Sequence, residues 1–542
     1  MSSDGLATAV AGNDAAGGRQ VAPSIPGEHS QPLQQAHGAP VRLFHLLLLA
    51  LLLIAGLLVR ARGVVKEPLW VDEYWSMYLS TARAQVGTSV FAAPLGVVID
   101  RAPPISFSGA PGWWHIWTGL SSCVHPPIYF IFLRWWVDLF GDSDLSLRGF
   151  SVTSSLAAIV LLFDVVRRAQ GPWAGLIAAG MMTFAVSQLD YSQMARGYTF
   201  LVAIGLLMCQ AMALIFQRGA STGRAIWLGF LTALMALTHY FAVGAIAGLT
   251  IYAAIIFRGR DRGRVLTALV IAGLVDVCAW GPKIWASRQL MRDETVIFLL
   301  DSLTGIWHHT TVGISAPCRL LLEAYRVNWF AAAPVAVFVF LLPLLNLRRS
   351  PDTLMWWLWV VGSLGFLWAW DVSRGTMMLS YLRYIFIASP GIYALLATPA
   401  PQLGKLRWAL PILMLFCTIC YCSTRVHDGP EPISHAWRQL YIALDATAGP
   451  NDVIVFTPSG EILPAFPYIA YAHYCPTSKR PVMFLANDPP DAAAVKRLKA
   501  GHIWLVSVSL PEDVPRFFPG WRPGHYMNGP IGPSILELLP PS

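Results

Sequence analysis

Two adjacent acids, Asp72 and Glu73, lie within the stretch Pro68–Ser76, which reads P-L-W-V-D-E-Y-W-S. The rings that frame them are Trp70, Tyr74 and Trp75. The pair follows closely after the first strongly apolar segment, residues 41–59. A carboxylate at a membrane exit can act as a general base, but it can also belong to a solvated loop whose tryptophans lie in the interface. The local pattern leaves both interpretations open.

A wider set of polar residues lies at or near the ends of apolar segments, on the side that the basic loops place outside. The set comprises His125, Arg148, Asp190, Gln193, Arg196, His239, Tyr240, Arg374 and Arg383. A single arginine at such an end commonly extends to the lipid headgroups. Several polar residues on the same side as an acid pair instead favour a site at the outer membrane boundary. There the acids would act on a proton, and the Arg and His side chains would bind an anionic phosphate.

The composition requires a membrane protein. The 542 residues are 55% hydrophobic and 13% charged, whereas a soluble domain averages roughly 25% charged residues. The net charge of +8 lies largely in short loops between apolar segments, so it does not indicate nucleic-acid binding. The eight cysteines lack metal-binding spacing, and no metal site is predicted from them.

About eleven apolar segments are predicted to span the membrane. They lie near 41–59, 147–166, 172–189, 198–216, 225–239, 241–257, 265–286, 329–346, 353–370, 382–398 and 408–423. Short basic loops stay in the cytoplasm, and the strongest such loop is the run Arg258–Arg264. This rule predicts a cytoplasmic N-terminus and places the acid pair, residues 287–328 and the C-terminus outside. Arg60, Arg62 and Lys66 conflict with it, because they flank the first span on its outer side.

Three regions are predicted. Residues 1–40 are rich in Ala, Gly, Gln and Pro and read as a disordered cytoplasmic tail. Residues 41–423 form the all-α membrane domain, with a long first external loop at 60–146 in which 128–140 is an interfacial amphipathic helix.

Residues 424–542 form a small extracytoplasmic α/β domain with an accessory role. Its helices are predicted at 434–448 and 491–500, and its strands at 452–456, 481–485, 502–506 and 534–539.

Several short motifs resemble the membrane glycosyltransferases that use polyprenyl-phosphate sugars, the GT-C superfamily. The resemblance is to the branch of the protein O-mannosyltransferases (glycosyltransferase family 39) and the lipid A aminoarabinose transferases. The motifs are W-V-D-E-Y-W at 70–75, H-P-P-I-Y at 125–129, L-F-G-D-S-D-L-S-L-R at 139–148, Arg167-Arg168, Y-S-Q-M-A-R-G-Y at 191–198, T-H-Y at 238–240 and L-R-Y at 382–384. Each motif is weak alone, and their order covers most of 41–398.

The resemblance implies roles for particular residues. Asp72 would be the base that acts on an acceptor hydroxyl, and the residue before Pro126-Pro127 would lie near the donor phosphate. The aminoarabinose transferases carry a lysine there, whereas this chain has His125. Arg383 is a second phosphate candidate, and Arg196 with Gln193 is a third.

The implied reaction inverts the anomeric carbon, because one base and one leaving phosphate suffice. Glu73 would orient the loop, or the Asp-Glu pair could bind a divalent cation, although no third acid lies nearby in the loop. No other cofactor is expected. The implied partners are a polyprenyl-phosphate-linked sugar, an acceptor that is a glycan, lipid or protein, and the bilayer of a bacterial inner membrane.

Two other functions remain open from the sequence. A transporter or flippase for an anionic lipid-linked substrate would also use charges at the membrane boundary, but the sequence shows no internal repeat. A non-catalytic assembly protein could keep the fold without the activity. Neither the sugar nor the acceptor can be derived from the sequence.

Overall fold

The computed structural model describes most of the chain from residue 40 onwards. The described residues are 40–64, 68–84, 90, 93–100, 103–120, 125–288, 305–322, 329–345, 350–399, 404, 406–428, 437–457, 465–485, 501–507, 517–528 and 534–541. They all belong to one compact unit, Gly38–Ser542. The predicted tail at 1–40, apart from its last residue, and the predicted helix at 491–500 lie outside the described residues.

The first half of the membrane region is helical. Its elements are α1 (Leu43–Val64), α2 (Val71–Ser80), the short strand β1 (Val98–Ile99), α3 (His115–Gly119), α4 (Ile128–Phe140), α5 (Asp144–Gln170), α6 (Pro172–Phe184), α7 (Val186–Ser192), α8 (Tyr198–Arg218), α9 (Thr222–Ala236), α10 (Ala242–Ile256) and α11 (Gly259–Ala286).

The second half contains α12 (Gly305–Leu322), α13 (Trp329–Ala336), α14 (Pro351–Arg374), α15 (Leu382–Ile385), α16 (Ser389–Leu396) and α17 (Ala409–Asp428). A π-helical turn at Val337–Leu341 and a 3-10 turn at Leu342–Leu345 continue α13. Two further 3-10 turns, Met378–Ser380 and Phe386–Ala388, flank α15.

Local sequence signals fix the ends of the long helices. The Ser143 hydroxyl accepts the Ser146 N–H at 3.2 Å and caps the start of α5, which ends at Gly171 with a φ of +89°. Ser350 caps α14 in the same way, and Gly375 ends it in the left-handed conformation. These signals confirm the predicted helices near 147–166 and 353–370.

The described residues contain six helices that are long and apolar enough to cross a membrane, or seven if the bent pair α6–α7 is one span. That pair bends by 59°. Four shorter apolar helical segments occupy the remaining predicted positions, at Thr222–Ala236, Ala242–Ile256, Phe330–Leu345 and Leu382–Leu396. The chain is therefore an integral membrane protein by the length and apolarity of its helices, while the count of eleven spans stays a prediction.

Arg60 is one of the three residues that conflict with the charge pattern, and its contacts explain its position. Its side chain is fully buried and donates to the Ser155 hydroxyl at 3.1 Å and to the carbonyl oxygens of Thr183 and Met182 at 3.1 and 3.3 Å. Those carbonyls end α6 at the bend before α7, where the helical hydrogen-bond ladder is interrupted. Arg60 therefore fastens α1 to this bend, so its position carries no information about membrane orientation.

Residues 305–322 depart from the predicted external segment at 287–328. They form α12, which packs against α13 and α14, and its turn Ser315–Leu321 is buried. Pro317 lies inside the helix, and the polar residues before it mask the apolar pattern in the sequence. The fold thus has a helix in the bundle that composition alone did not reveal.

The C-terminal region combines two helices with most of a six-stranded sheet. The helices are α18 (Trp437–Thr447) and α19 (Ala465–Tyr474), and the strands are β2 (Val453–Phe456), β3 (Val482–Phe484), β4 (Ile503–Ser507), β5 (Arg522–Asn528) and β6 (Ser534–Leu539). The sheet order is β1-β3-β2-β4-β6-β5, in which β2 runs parallel to β3 and β4. The four predicted strands and the helix at 434–448 are present, whereas β5 and α19 were not predicted.

The edge strand β1 comes from the first external loop. Val98 and Ile99 pair antiparallel with Met483 and Val482 of β3. One buried apolar cluster continues from α2 and α4 through α18 and α19 to one face of this sheet. The first loop and the C-terminal region therefore share a sheet and a core, which the predicted division at residue 424 did not include.

The membrane orientation predicts a labelling pattern. In a background without reactive cysteines, Arg260→Cys in the first turn of α11 should resist impermeant thiol reagents in intact cells, because short basic segments between spans are expected in the cytoplasm. Arg522→Cys on exposed β5 should react. The measurement is mass-tag labelling before and after permeabilisation. The reverse pattern would invert the assigned face.

Candidate active site

The acid pair lies in the first turn of α2, where the helix dipole stabilises negatively charged carboxylates. The Glu73 carboxylate accepts the Trp70 N–H at 3.1 Å, which closes the start of the helix. Consecutive helical residues point in directions about 100° apart. The two acids consequently have different surroundings.

Glu73 is fully buried in an ion pair with Arg148. The two contacts are Arg148 Nε to Oε1 at 2.8 Å and Nη2 to Oε2 at 2.7 Å, a bidentate arrangement. The Ala195 N–H also donates to Oε1 at 2.7 Å. Arg148 in turn donates to the carbonyl oxygens of Val64 at 2.6 Å and Pro68 at 3.0 Å. This pair ties together α1, α5, the entry to α2 and the loop before α8.

Asp72 points instead toward two arginines that come from distant segments. Arg383 Nη1 lies 3.1 Å from Asp72 Oδ2, and Arg196 Nη2 lies 3.9 Å from the same oxygen. Arg196 Nη1 also donates to the Asp72 carbonyl oxygen at 3.2 Å and to the Ser76 hydroxyl at 3.1 Å. The Asp72 side chain keeps 25% of its surface exposed, so a substrate group can reach it.

Arg383 is held by aromatic faces and by a capped turn. Its guanidinium carbon lies 4.9 Å from the Tyr384 ring centroid and 5.4 Å from that of Tyr381. The turn before it is fixed by buried Asp371, which accepts the N–H groups of Met378 at 2.9 Å and Leu379 at 2.7 Å. Arg383 therefore reaches Asp72 from a rigid support.

Two histidines lie in the electrostatic field of these arginines. Burial, together with the positive charges of Arg196 and Arg383, lowers the pKa of His239 to about 3. The pKa of His125 is lowered well below its ordinary value by burial, Arg196, His239 and Arg383. Both imidazoles are neutral at pH 7. His239 Nδ1 accepts the Phe241 N–H at 3.2 Å, so its own proton is assigned to Nε2.

A small cleft lies beside Arg383 and His239. Its apolar wall includes Tyr198, Leu201 and Phe386. A cleft with one guanidinium, a neutral imidazole donor and an otherwise apolar lining suits an anionic group carried on an apolar chain.

The comparisons with known proteins agree with this architecture. Residues 124–280 match the family described as dolichyl-phosphate-mannose-protein mannosyltransferase. The fold is similar to that of ArnT from Cupriavidus metallidurans in the apo state, at 12% identity and a TM-score of 0.53, covering 91% of this chain and 97% of that one. ArnT bound to undecaprenyl phosphate gives 12% identity and a TM-score of 0.54, covering 91% and 98%.

A third solved structure, the archaeal oligosaccharyltransferase AglB from Archaeoglobus fulgidus in complex with an inhibitory peptide and a dolichol-phosphate, matches at 12% identity and a TM-score of 0.45. It covers 86% of this chain and 69% of that one. No curated protein matches the sequence at a significant level.

The remaining sequence candidates have supporting or separate positions. Gln193 donates to the Arg60 carbonyl oxygen at 3.0 Å, and Asp190 pairs with Arg425 at 3.1 Å. The Tyr240 hydroxyl accepts the Trp280 indole N–H at 3.0 Å. Arg374 is exposed and stacks on Trp370. Among the described residues, none of these contacts reaches the cluster of Asp72, Arg196 and Arg383.

Three residues of the cluster were not singled out from the sequence: Ser76, Tyr198 and Tyr384. Tyr198 and Tyr384 each lie close in sequence to a selected arginine, within the motifs at 191–198 and 382–384. Arg196 lies 5.8 Å from the Tyr198 ring centroid. The available sequence signal was a tyrosine close to an arginine. This signal is too weak to identify Tyr198 or Tyr384, because their contacts with Arg196 and Arg383 are known only from the tertiary structure.

The acid pair does not fit a divalent cation. Both oxygens of Glu73 already accept hydrogen bonds from Arg148 and from backbone N–H groups, and Asp72 faces two guanidinium groups. Hard cations prefer several oxygen ligands and are repelled by neighbouring positive charge. Among the described residues, no group of three or more His, Cys, Asp and Glu is arranged to hold a metal ion.

Glu73→Gln should therefore destabilise the protein. The change leaves the Arg148 charge buried without its counter-charge, at a loss of about 3–5 kcal/mol of unfolding free energy. Asp138→Asn is the matched control, since Asp138 pairs with Arg134 but is 47% exposed, and about 0.5 kcal/mol or less is expected. Thermal unfolding in detergent measures both. A Glu73→Gln protein of unchanged stability whose activity returns with Mn²⁺ would instead make Glu73 a metal ligand.

Proposed function

We propose that this protein is a membrane glycosyltransferase that moves a sugar from a polyprenyl-phosphate donor to an acceptor hydroxyl on the extracytoplasmic face. The observation that carries the proposal is the contact between Asp72 and Arg383, beside Arg196 and at the edge of the cleft. This contact places an accessible carboxylate, that of Asp72, beside two cations, Arg383 and Arg196, that suit a phosphate. The likeness to ArnT bound to undecaprenyl phosphate supports a lipid-phosphate ligand.

The proposed base is Asp72. Two guanidinium groups and one carboxylate leave the cluster of Asp72, Arg196 and Arg383 with one net positive charge. A donor phosphate entering the cleft would share Arg383 with the carboxylate and free Asp72 Oδ2 to accept a hydrogen bond from the acceptor hydroxyl. The geometry suits this exchange because Arg383 reaches both the cleft and Asp72.

The proposed reaction is a single displacement. The acceptor oxygen forms a bond to the anomeric carbon as the bond from that carbon to the phosphate oxygen breaks, and the configuration inverts. The acceptor proton passes to Asp72, and the bonding electrons pass to the leaving phosphate. Arg383 and Arg196 stabilise the charge that grows there, and the neutral imidazoles of His125 and His239 donate hydrogen bonds to it. This scheme requires no metal ion.

Asp72→Asn should abolish most of the turnover. The amide has nearly the same shape but cannot accept a proton at neutral pH, so the rate should fall about a hundredfold or more. The measurement is single-turnover transfer from a radiolabelled undecaprenyl-phosphate sugar to a panel of glycan, lipid and peptide acceptors. Asp190→Asn is the control, because Asp190 pairs with Arg425 outside the cluster. Wild-type transfer by Asp72→Asn would exclude Asp72 as the base, with Asp190 the next candidate.

Arg383→Ala should weaken donor binding. Loss of a charge-assisted phosphate contact corresponds to about 1.5–3 kcal/mol, or roughly ten- to a hundredfold in the dissociation constant. Arg374→Ala is the matched control, since this arginine also stacks on a ring but is exposed, and its ring partner Trp370 lies outside the cluster of Asp72, Arg196 and Arg383. Equilibrium binding of undecaprenyl phosphate to the purified protein measures both. Equal affinities for the two variants would remove Arg383 from the donor site.

A further inference from the structure

A polar junction joins the C-terminal helix α19 to the start of α5. The Asp144 carboxylate accepts hydrogen bonds from His473 Nε2 at 2.8 Å and from the Tyr474 hydroxyl at 3.2 Å, and it pairs with Arg438 of α18. Asp144 is the first residue of α5, and Arg148 follows one turn later on the same face. The first turn of α5, which carries Arg148 and so binds Glu73, is therefore bonded to the C-terminal region through Asp144.

The Tyr474 hydroxyl makes a second contact on its other side. It accepts the backbone N–H of Leu69 at 3.1 Å. Leu69 is fully buried and lies three residues before Asp72, at the entry to α2. The Tyr474 ring also meets Tyr74 of α2 edge to face, with centroids 6.3 Å apart. One hydroxyl therefore links Asp144 to the backbone that leads into the acid pair.

Additional contacts prevent the C-terminal region from moving independently of the first loop. β1 of that loop is an edge strand of the sheet, and the Gly96 N–H donates to the Phe484 carbonyl oxygen at 2.7 Å. The Tyr468 hydroxyl of α19 donates to the Pro103 carbonyl oxygen. Helix α19 is therefore fixed to the loop at several points, and Tyr474 holds a defined position against Leu69.

We infer that the C-terminal domain positions Asp72 for catalysis through Tyr474, whose hydroxyl bridges Asp144 and the Leu69 backbone. The inference rests on the proposed function, in which Asp72 is the base. Without its acceptor, the buried Leu69 N–H would favour another backbone position, and α2 would shift with it. A small displacement of a base from its acceptor hydroxyl lowers the rate, whereas donor contacts on Arg383 are unaffected.

Tyr474→Phe tests the inference, with Tyr471→Phe as the matched control. Tyr471 lies on the same helix, and its hydroxyl contacts Ser478 rather than Leu69, so both variants lose one hydroxyl and keep the ring. Two quantities are measured on the purified full chain in detergent. Hydrogen–deuterium exchange reports the amides of Leu69 to Tyr74 in the segment 68–74, and single-turnover and steady-state transfer report kcat and the donor KM. Thermal midpoints establish that both variants are folded.

For Tyr474→Phe we expect exchange at 68–74 to be about five- to tenfold faster and kcat to be lower by about the same factor, the scale of one lost hydrogen bond. Its donor KM should stay within about twofold, and Tyr471→Phe should match the unmodified protein in all three quantities. Unchanged exchange at 68–74 in Tyr474→Phe would overturn the inference. Faster exchange with unchanged kcat would overturn it too. In that case Tyr474 would hold the Leu69 backbone, but this contact would have no effect on the position of Asp72 in catalysis.

The two readouts separate this inference from the proposed function. Exchange requires neither donor nor acceptor, so it reports the Tyr474–Leu69 link even if the protein transfers no sugar. Failure of the proposed function would show in the unmodified protein as absent transfer, or as wild-type transfer by Asp72→Asn. Absent transfer in the unmodified protein would also overturn the catalytic part of this inference.

Discussion

The buried ion pair between Glu73 and Arg148 is the interaction on which the site depends. Removing two charges from water is costly, and the pair is tolerated because its remaining hydrogen-bonding capacity is also used. Glu73 accepts from the Ala195 and Trp70 N–H groups, and Arg148 donates to the carbonyls of Val64 and Pro68. One pair therefore fixes four segments of chain relative to one another. The position of Asp72 follows, since it is the neighbouring residue of the same helical turn.

In the proposed function, the adjacent acids Asp72 and Glu73 have different surroundings and different tasks. A carboxylate that supports the fold must be fully bonded and buried, as Glu73 is. A carboxylate that accepts a proton from a substrate needs an accessible oxygen, and Asp72 keeps a quarter of its surface exposed. The helical rotation of about 100° between neighbours is enough to separate the two environments. The same separation explains why the pair is not a metal-binding pair.

Electrostatics at the boundary of the membrane favour an anion in the cleft. Arg196 and Arg383 are largely buried, and they share the Asp72 carboxylate. Burial, with a smaller contribution from this charge, lowers the pKa values of His125 and His239, so the neutral histidines can donate hydrogen bonds without adding to the repulsion. Aromatic faces at Tyr198, Tyr381 and Tyr384 stabilise the guanidinium groups while leaving the cleft apolar. An anionic headgroup on a long apolar chain is the ligand class that matches both features.

The sequence by itself determined the membrane class, the position of most helices and the identity of Asp72, His125, Arg196, His239 and Arg383 as candidates, because hydropathy and charge at helix ends are local properties. The family resemblance assigned different roles to Asp72 and Glu73, but the residues alone did not show which of the two acids is buried, since packing decides this. Nor did the sequence reveal that Arg60 is internal, that α12 belongs to the bundle, or that Val98–Ile99 pairs with β3. These three features depend on contacts between residues that lie tens to hundreds of positions apart. Such contacts leave no periodic signal in the sequence. Tertiary structure alone therefore decided how the C-terminal domain meets the acid pair.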